Sequence, residues 1–188
     1  MPEIKSITDG FKEGASRAVL VSVCTKDDTE ESCERSLDEL ARLLETAGGE
    51  EAGRVIQNRE TPDRATFIGS GKLAELAEFI KNNGDISLVV FDNELTPSQI
   101  ANIEKELPDV RVIDRTMLIL DIFALHAVTG EGKLQVEIAC LQYTAPRLTG
   151  KGKEMSRLGG GIGTRGPGES KLESDRRHLK RRIAALRN

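Results

Sequence analysis

Tryptophan is absent from this chain, and aromatic residues make up only 3% of its 188 positions. Proteins that read unpaired bases stack them on exposed rings, so single-strand base reading is not indicated. Cysteine is scarce as well: Cys24, Cys33 and Cys140 are odd in number and show no C-x-x-C spacing. They read as reduced cytosolic thiols, not as disulfides or metal ligands. His126 and His178 do not cluster with them, so no metal site is expected. No apolar run approaches the roughly 18 residues of a membrane span. The opening Met1-Pro2-Glu3-Ile4-Lys5 lacks the basic and apolar regions of a signal peptide. These absences point to a cytoplasmic protein without a membrane span.

What is present is concentrated at one end. Residues 159–168 hold six glycines and are followed at once by a charged helical pattern. Glycine has the most backbone freedom to lose on ordering, so such a stretch does not serve to fill a core. It suits a backbone that approaches a phosphate-bearing partner closely. From Arg147 to Asn188 there are 12 Lys/Arg against 4 Asp/Glu, a balance of +8. Residues 1–146 carry 15 against 27, a balance of −12, and the whole chain has a net charge of −4. An acidic body with a basic tail suggests nucleic-acid contact at one end. A solvated helix rich in Arg and Lys is the plainer alternative. Arg157, Arg165, Lys171, Arg176, Arg177, Lys180, Arg181 and Arg182 crowd this segment. Arginine forks match phosphate geometry. Without interleaved rings, they favour backbone and shape recognition of folded RNA.

Upstream, strand and helix patterns alternate. Arg17 to Val23 is a short β-branched run. Glu31 to Ala47 places Leu37, Leu40, Leu43 and Leu44 at helical spacing and ends at Gly48-Gly49. Glu51 to Arg59 reads as a second strand, and Thr66-Phe67-Ile68 as a short extended piece. Gly69-Ser70-Gly71 opens a helix with Leu73, Leu76, Ala77 and Ile80 on one face. Ser87 to Phe91 is continuously apolar, as a buried parallel strand is. Thr96, Pro97 and Gln99 form a capping-box start for a helix that ends near Pro108. Val110 to Ile113 is the last strand. This alternation predicts an α/β fold with a small parallel β-sheet and flanking helices over residues 1–116.

After Asp114 the pattern changes. Met117 to Ala127 is apolar almost all round and predicts a buried helix, with His126 packed inside it. From Glu131 a heptad seam runs through Leu134, Ile138, Leu141, Ala145 and Leu148. Cys140 lies off the seam and reads as a small buried residue. A second seam runs through Leu172, Leu179, Ile183 and Leu186. Together they predict a long antiparallel helical hairpin, coiled-coil-like, over 117–188, with a Gly-rich tip loop at 149–168.

Two motif matches fail on context. Gly161-Ile-Gly163-Thr-Arg-Gly166 fits G-x-G-x-x-G, but it follows a helix and precedes Pro167, where a dinucleotide site needs a strand before and a helix after. The free N–H groups at the start of the next helix still suit an anion, while Glu169, Ser170 and Glu173 offer simple capping. Gly69-Ser70-Gly71-Lys72 lacks the first glycine of a P-loop and has Leu73 where Ser or Thr is required. It reads as a tight turn into a helix. Asp92, Glu94, Asp114 and Asp121 pair with no nucleophile at a catalytic spacing. The alternative function is a nucleotide-binding α/β enzyme domain that uses the strand C-terminal ends near Asp92 and Asp114. Capping and ion pairing are the plainer roles for Asp114-Arg115-Thr116.

Several stretches closely resemble the HflX family of translational GTPases. They are Phe67-Ile-Gly-Ser-Gly-Lys-Leu73, Asp114-Arg-Thr116, Leu120-Asp-Ile-Phe-Ala124, Glu131-Gly-Lys-Leu-Gln-Val-Glu137, Pro146-Arg-Leu148 and the whole of Gly159 to Arg177. Cys140 stands where the family more usually has Gln, and Ser170 where Thr is common. The resemblance implies an N-terminal α/β subdomain, a helical hairpin and then a P-loop GTPase domain, expected after Asn188. It implies docking on the large ribosomal subunit and its RNA, and a part in splitting or rescuing stalled or idle ribosomes under stress. By position, the RNA-approaching loop is Gly163, Thr164, Arg165, Gly166, Pro167, Gly168 and Glu169. Arg157, Lys171, Arg176 and Arg177 would neutralise phosphates beside it. GTP and Mg2+ belong to the GTPase domain, a further partner of this region. Residues 1–188 contain no P-loop, so no cofactor and no GTP hydrolysis are expected of them.

Overall fold

Nine elements follow the chain in the computed structural model, which describes residues 16–157, 181, 184 and 185. They are β1 (Arg17–Cys24), α1 (Glu30–Thr46), β2 (Glu50–Asn58), α2 (Ser70–Asn82), β3 (Ile86–Phe91), α3 (Pro97–Glu106), β4 (Arg111–Asp114), α4 (Arg115–His126) and α5 (Gly130–Arg157). The strands form one sheet in the order β2-β1-β3-β4, and every pairing is parallel. β1 and β3 are central, which explains their near-continuous apolar sequences: both of their faces are covered. β2, at one edge, is half-buried and correspondingly polar.

Side chains alternate across the sheet. Val19, Val21, Val23, Val89, Phe91 and Val112 join the core formed with Leu73, Leu76 and Ile80 of α2 and Ile103 of α3. Leu37, Leu40 and Leu44 of α1 and Leu118 of α4 are fully buried, and these two helices contact one another. The helices begin where their capping residues dictate. Thr96 and Gln99 satisfy each other's backbone donors in a capping box, with Pro97 at the first turn of α3. Thr29 and Ser32 do the same for α1. Gly48 ends α1 at φ +84°, the left-handed region that glycine enters without strain.

Several expectations change. Thr66-Phe67-Ile68 is not extended: Phe67 has φ +66° and makes an isolated bridge with Asp63. The Asp63 carboxylate accepts bonds from the Ala65 and Thr66 N–H groups and folds the segment into a turn. α4 is not buried throughout, since Phe123 is 57% exposed and Leu125 47%. Its Met117, Leu118 and Asp121 are buried, while Ile119, Leu120, Ile122 and Ala124 are half-buried. His126 is exposed on the last turn, with Nδ1 2.9 Å from the Ile122 carbonyl, and is not a packed histidine. Cys24 and Cys33 are disulfide-bonded, not reduced thiols, because β1 and α1 bring their Cα atoms to 6.2 Å. Cys140 is buried, as its pattern predicts.

The chain divides into two compact units, Met1–His126 and Ala127–Asn188. The sequence reading sets the boundary after Thr116; the packing of α4 against α1 and β4 sets it after His126. α5 continues to Arg157, so the segment read as tip loop from residue 149 is helical that far. Gly150 and Gly152 disfavour a helix by about 1 kcal/mol each, and the Lys, Glu and Met residues around them favour it.

Candidate functional site at the carboxyl edge of the sheet

In an open parallel sheet, ligands bind outside the strand C-terminal ends where the strand order reverses. With the order β2-β1-β3-β4, that crevice lies between β1 and β3. Side chains of the chain itself occupy it. The Val23 N–H donates to Asn93 Oδ1 at 3.0 Å, and Asn93 Nδ2 donates back to the Val23 carbonyl at 3.4 Å. Asp92, next to Asn93, accepts from Arg115 Nε at 2.8 Å and from Nη2 at 2.6 Å. The same Nη2 also donates to the Ser36 carbonyl at 2.9 Å and to Ser36 Oγ at 3.0 Å. Arg115 Nη1 lies 3.3 Å from Glu39 Oε1. One guanidinium thus ties the end of β3 to the middle of α1.

Asp114 is fully buried and equally committed. Its Oδ2 accepts from the Leu95 N–H at 3.1 Å, and its Oδ1 from the Met117 N–H at 3.0 Å, which caps α4. Asp92 and Asp114 are therefore structural acceptors at this edge, and the nucleotide-binding alternative is not favoured. Asp121 differs from both. It is 1% exposed, neither carboxylate oxygen accepts a hydrogen bond from the described residues, and Arg111 Nη2 lies 3.7 Å away. Burial pushes its pKa up to about 6, with Arg111 opposing the rise.

The remaining motif residues also have defined places. Gly69 caps α2 without a side chain, and its N–H donates to Gln57 Oε1 at 2.8 Å. Lys72 pairs with Glu75 at 2.5 Å, so Gly69 to Lys72 is a turn into a helix, as its failed P-loop pattern implies. Gln99 Nε2 donates to the Asp63 carbonyl at 3.1 Å, and Asn102 Nδ2 to the Ala65 carbonyl at 2.9 Å. These bonds pin the turn before α2. Among the described residues, no three His, Cys, Asp or Glu side chains converge as metal ligands. No described helix is long and apolar enough to cross a membrane.

Arg157 is the last residue of α5. Gly163, Thr164, Arg165, Gly166, Pro167, Gly168, Glu169, Lys171, Arg176 and Arg177 lie outside the described residues. Arg181 of the basic cluster is helical and exposed. Sequence reasoning missed the reach of Arg115 to Ser36 and the role of Asn93. The adjacency of Asp114 and Arg115 was the only local signal, and nothing in it pointed to α1.

Comparison with known proteins accounts for both units. Residues 34–124 match a family model described as GTP-binding GTPase N-terminal, and residues 126–188 match one described as GTP-binding GTPase Middle Region. GTPase HflX of Lacrimispora saccharolytica is 52% identical over 177 residues, covering 94% of this chain and 41% of the relative. GTPase HflX of Escherichia coli K12 is 44% identical over 176 residues, covering 94% and 40%. The chain thus spans about two fifths of the length of these curated relatives. A GTP-binding protein from Sulfolobus solfataricus, solved in complex with GDP, superposes with a TM-score of 0.56 at 27% identity, over 92% of this chain and 46% of that one. Together with the parallel sheet and the continuous match across both units, this places the chain in the HflX GTPase family, with residues corresponding to the family's N-terminal and middle regions.

Proposed function

We propose that this region docks an HflX-type GTPase on the large ribosomal subunit, where it helps split or rescue stalled or idle ribosomes in the cytoplasm. The observation that carries this reading is the Gly159 to Arg177 sequence, six glycines followed by clustered cations at the far end of α5. α5 has 28 residues, about 42 Å of helix at 1.5 Å per residue. It forms one arm of a helical hairpin whose tip carries the loop. Gly163 to Glu169 approaches ribosomal RNA, with Gly166 and Gly168 permitting close contact. Arg157, Arg165, Lys171, Arg176 and Arg177 neutralise phosphates around it. The α/β unit is the rigid platform, tied at its carboxyl edge by Arg115. GTP and Mg2+ act in the GTPase domain of the full-length protein, and residues 1–188 hydrolyse nothing.

The test is co-sedimentation with purified large subunits at low and moderate salt, beside a variant lacking Gly159 to Gly168. Salt-sensitive pelleting that depends on the loop is the expected result, because phosphate contacts release counterions. Pelleting that survives loop deletion would reject the loop as the contact.

A further inference from the structure

We propose that Cys24 and Cys33 form a reversible dithiol–disulfide couple, a covalent latch across the β1–α1 turn worked by exchange with low-molecular-weight thiols. Cys24 is the last residue of β1, and Cys33 lies in the first turn of α1. Only nine positions separate them. The turn between them is already closed without the bond. The Thr25 N–H and hydroxyl donate to Asp28 Oδ2 at 2.9 and 2.8 Å, and the Asp28 N–H donates to the Thr25 carbonyl at 3.0 Å. The Thr29–Ser32 capping box fixes the start of α1 immediately beyond. Farther along α1, Arg115 holds Ser36 and Glu39, and Arg54 holds Asp38 at 2.6 Å. These contacts keep the two thiols adjacent when reduced, so the bond re-forms without a search. Both cysteines are small apolar residues at 4% and 5% exposure, and the thiol form packs in the same place.

A cavity beside Cys24 offers a route of access. Cys24 lines an open cavity of about 370 Å3 at the carboxyl ends of β1 and β2, with Lys26 and Arg59 among its walls and Asp28, Glu30 and Glu60 beside them. A thiolate entering there attacks Cys24 Sγ, forms a mixed disulfide with it and expels Cys33 as a thiolate. The first turn of a helix favours that leaving group, and Glu30 and Glu31 in the same turn oppose it. A second thiolate attacks the outer sulfur of the mixed disulfide, which releases Cys24 as a thiolate and a small-molecule disulfide. Two electrons pass to the protein, both cysteine thiolates take up protons, and two small thiols become one disulfide. The reverse sequence closes the latch. The couple reconciles a cysteine pattern suited to a reducing compartment with a bonded pair in the fold.

The chain is equilibrated in buffers spanning reduced to oxidised glutathione, quenched with acid, unfolded and alkylated, and its intact mass is read. The expected result is a single reversible transition of two alkyl groups across the glutathione range, preserved in Cys140→Ser and abolished in Cys33→Ser. Hydrogen exchange at residues 25–33 should be faster in the reduced form, with β3 unchanged. A pair that stays oxidised at every ratio is a permanent bond, and one that stays reduced forms no latch; either overturns the proposal. A Cys24→Ala/Cys33→Ala double variant should retain the circular dichroism of the parent. Unfolding of that variant together with the reduced parent would make the bond a structural staple and also overturn the latch.

Discussion

Asp121 shows how one residue's burial sets a pH dependence. Its carboxyl has a pKa near 6 in the fold against an ordinary 3.8, because burial disfavours the charge more than Arg111 favours it. The folded state therefore holds the proton more tightly than the unfolded state. The contribution is most favourable below about pH 4, declines as pH rises to about 6, and is fully lost above that. The difference corresponds to about 3 kcal/mol at neutral pH. The effect of Asp121→Asn on stability should be about 2–3 kcal/mol more favourable at pH 7 than at pH 4, because the amide does not titrate and carries no buried charge. Urea unfolding of both proteins across that range checks this, and the difference between them removes the opposite contributions of Asp28 and Asp63, whose pKa values hydrogen bonds lower. Gly49 is a second case. A Cβ there would lie 2.4 Å from Leu44 Cδ1 and 3.3 Å from the Ser16 carbonyl, and Leu44 is fully buried. Gly49→Ala should cost about 1–3 kcal/mol by forcing the Leu44 side chain to shift, read as a lower midpoint in thermal unfolding.

At the scale of elements, the carboxyl edge of the sheet depends on Arg115. It joins three elements through Asp92 after β3, Ser36 and Glu39 in α1, and its own position at the start of α4. Removing it leaves Asp92, whose side chain is 9% exposed, without its cation. Arg115→Ala should destabilise the fold by about 2–3 kcal/mol in denaturant titration, at the lower end for a broken buried pair because Arg115 is partly solvated. Arg115→Lys should recover only part of this, because an ammonium cannot reach Asp92, Ser36 and Glu39 together as the planar guanidinium does. Equal stability of the Ala and Lys variants would show that charge geometry at this edge is unimportant.

At the scale of the whole molecule, charge is divided: an acidic α/β unit and a basic tail. If the tail carries the RNA contact, affinity for large subunits should fall steeply with salt while stability of the sheet does not. Replacing Arg165 and Lys171 together by Ala should weaken binding and lower the magnitude of the log affinity against log salt slope by about 1.5, since each phosphate contact contributes roughly 0.7 to 0.9. The circular dichroism spectrum should not change. An unchanged slope would remove these two residues from the interface.

Much of the architecture was legible because its signals are local. The leucine spacing of α1, the Thr96-Pro97-Gln99 start of α3 and the apolar run of β3 involve residues one to four positions apart, and each element formed within a residue or two of its reading. The family was legible for the same reason, from contiguous motifs such as Gly159 to Arg177. The left-handed Phe67 was not, because Asp63, Gln99 and Asn102 jointly determine that turn across more than 30 positions. Arg115 meets Ser36 across 79 positions, and Asn93 meets Val23 across 70. The burial of Asp121 and the closeness of Cys24 to Cys33 likewise depend on how the sheet and helices pack. By itself, the sequence determined the elements, their order and the family, through periodicity, capping and contiguous motifs. Only the tertiary structure decided that the crevice between β1 and β3 is filled, because the strand order brings together side chains that no local pattern pairs.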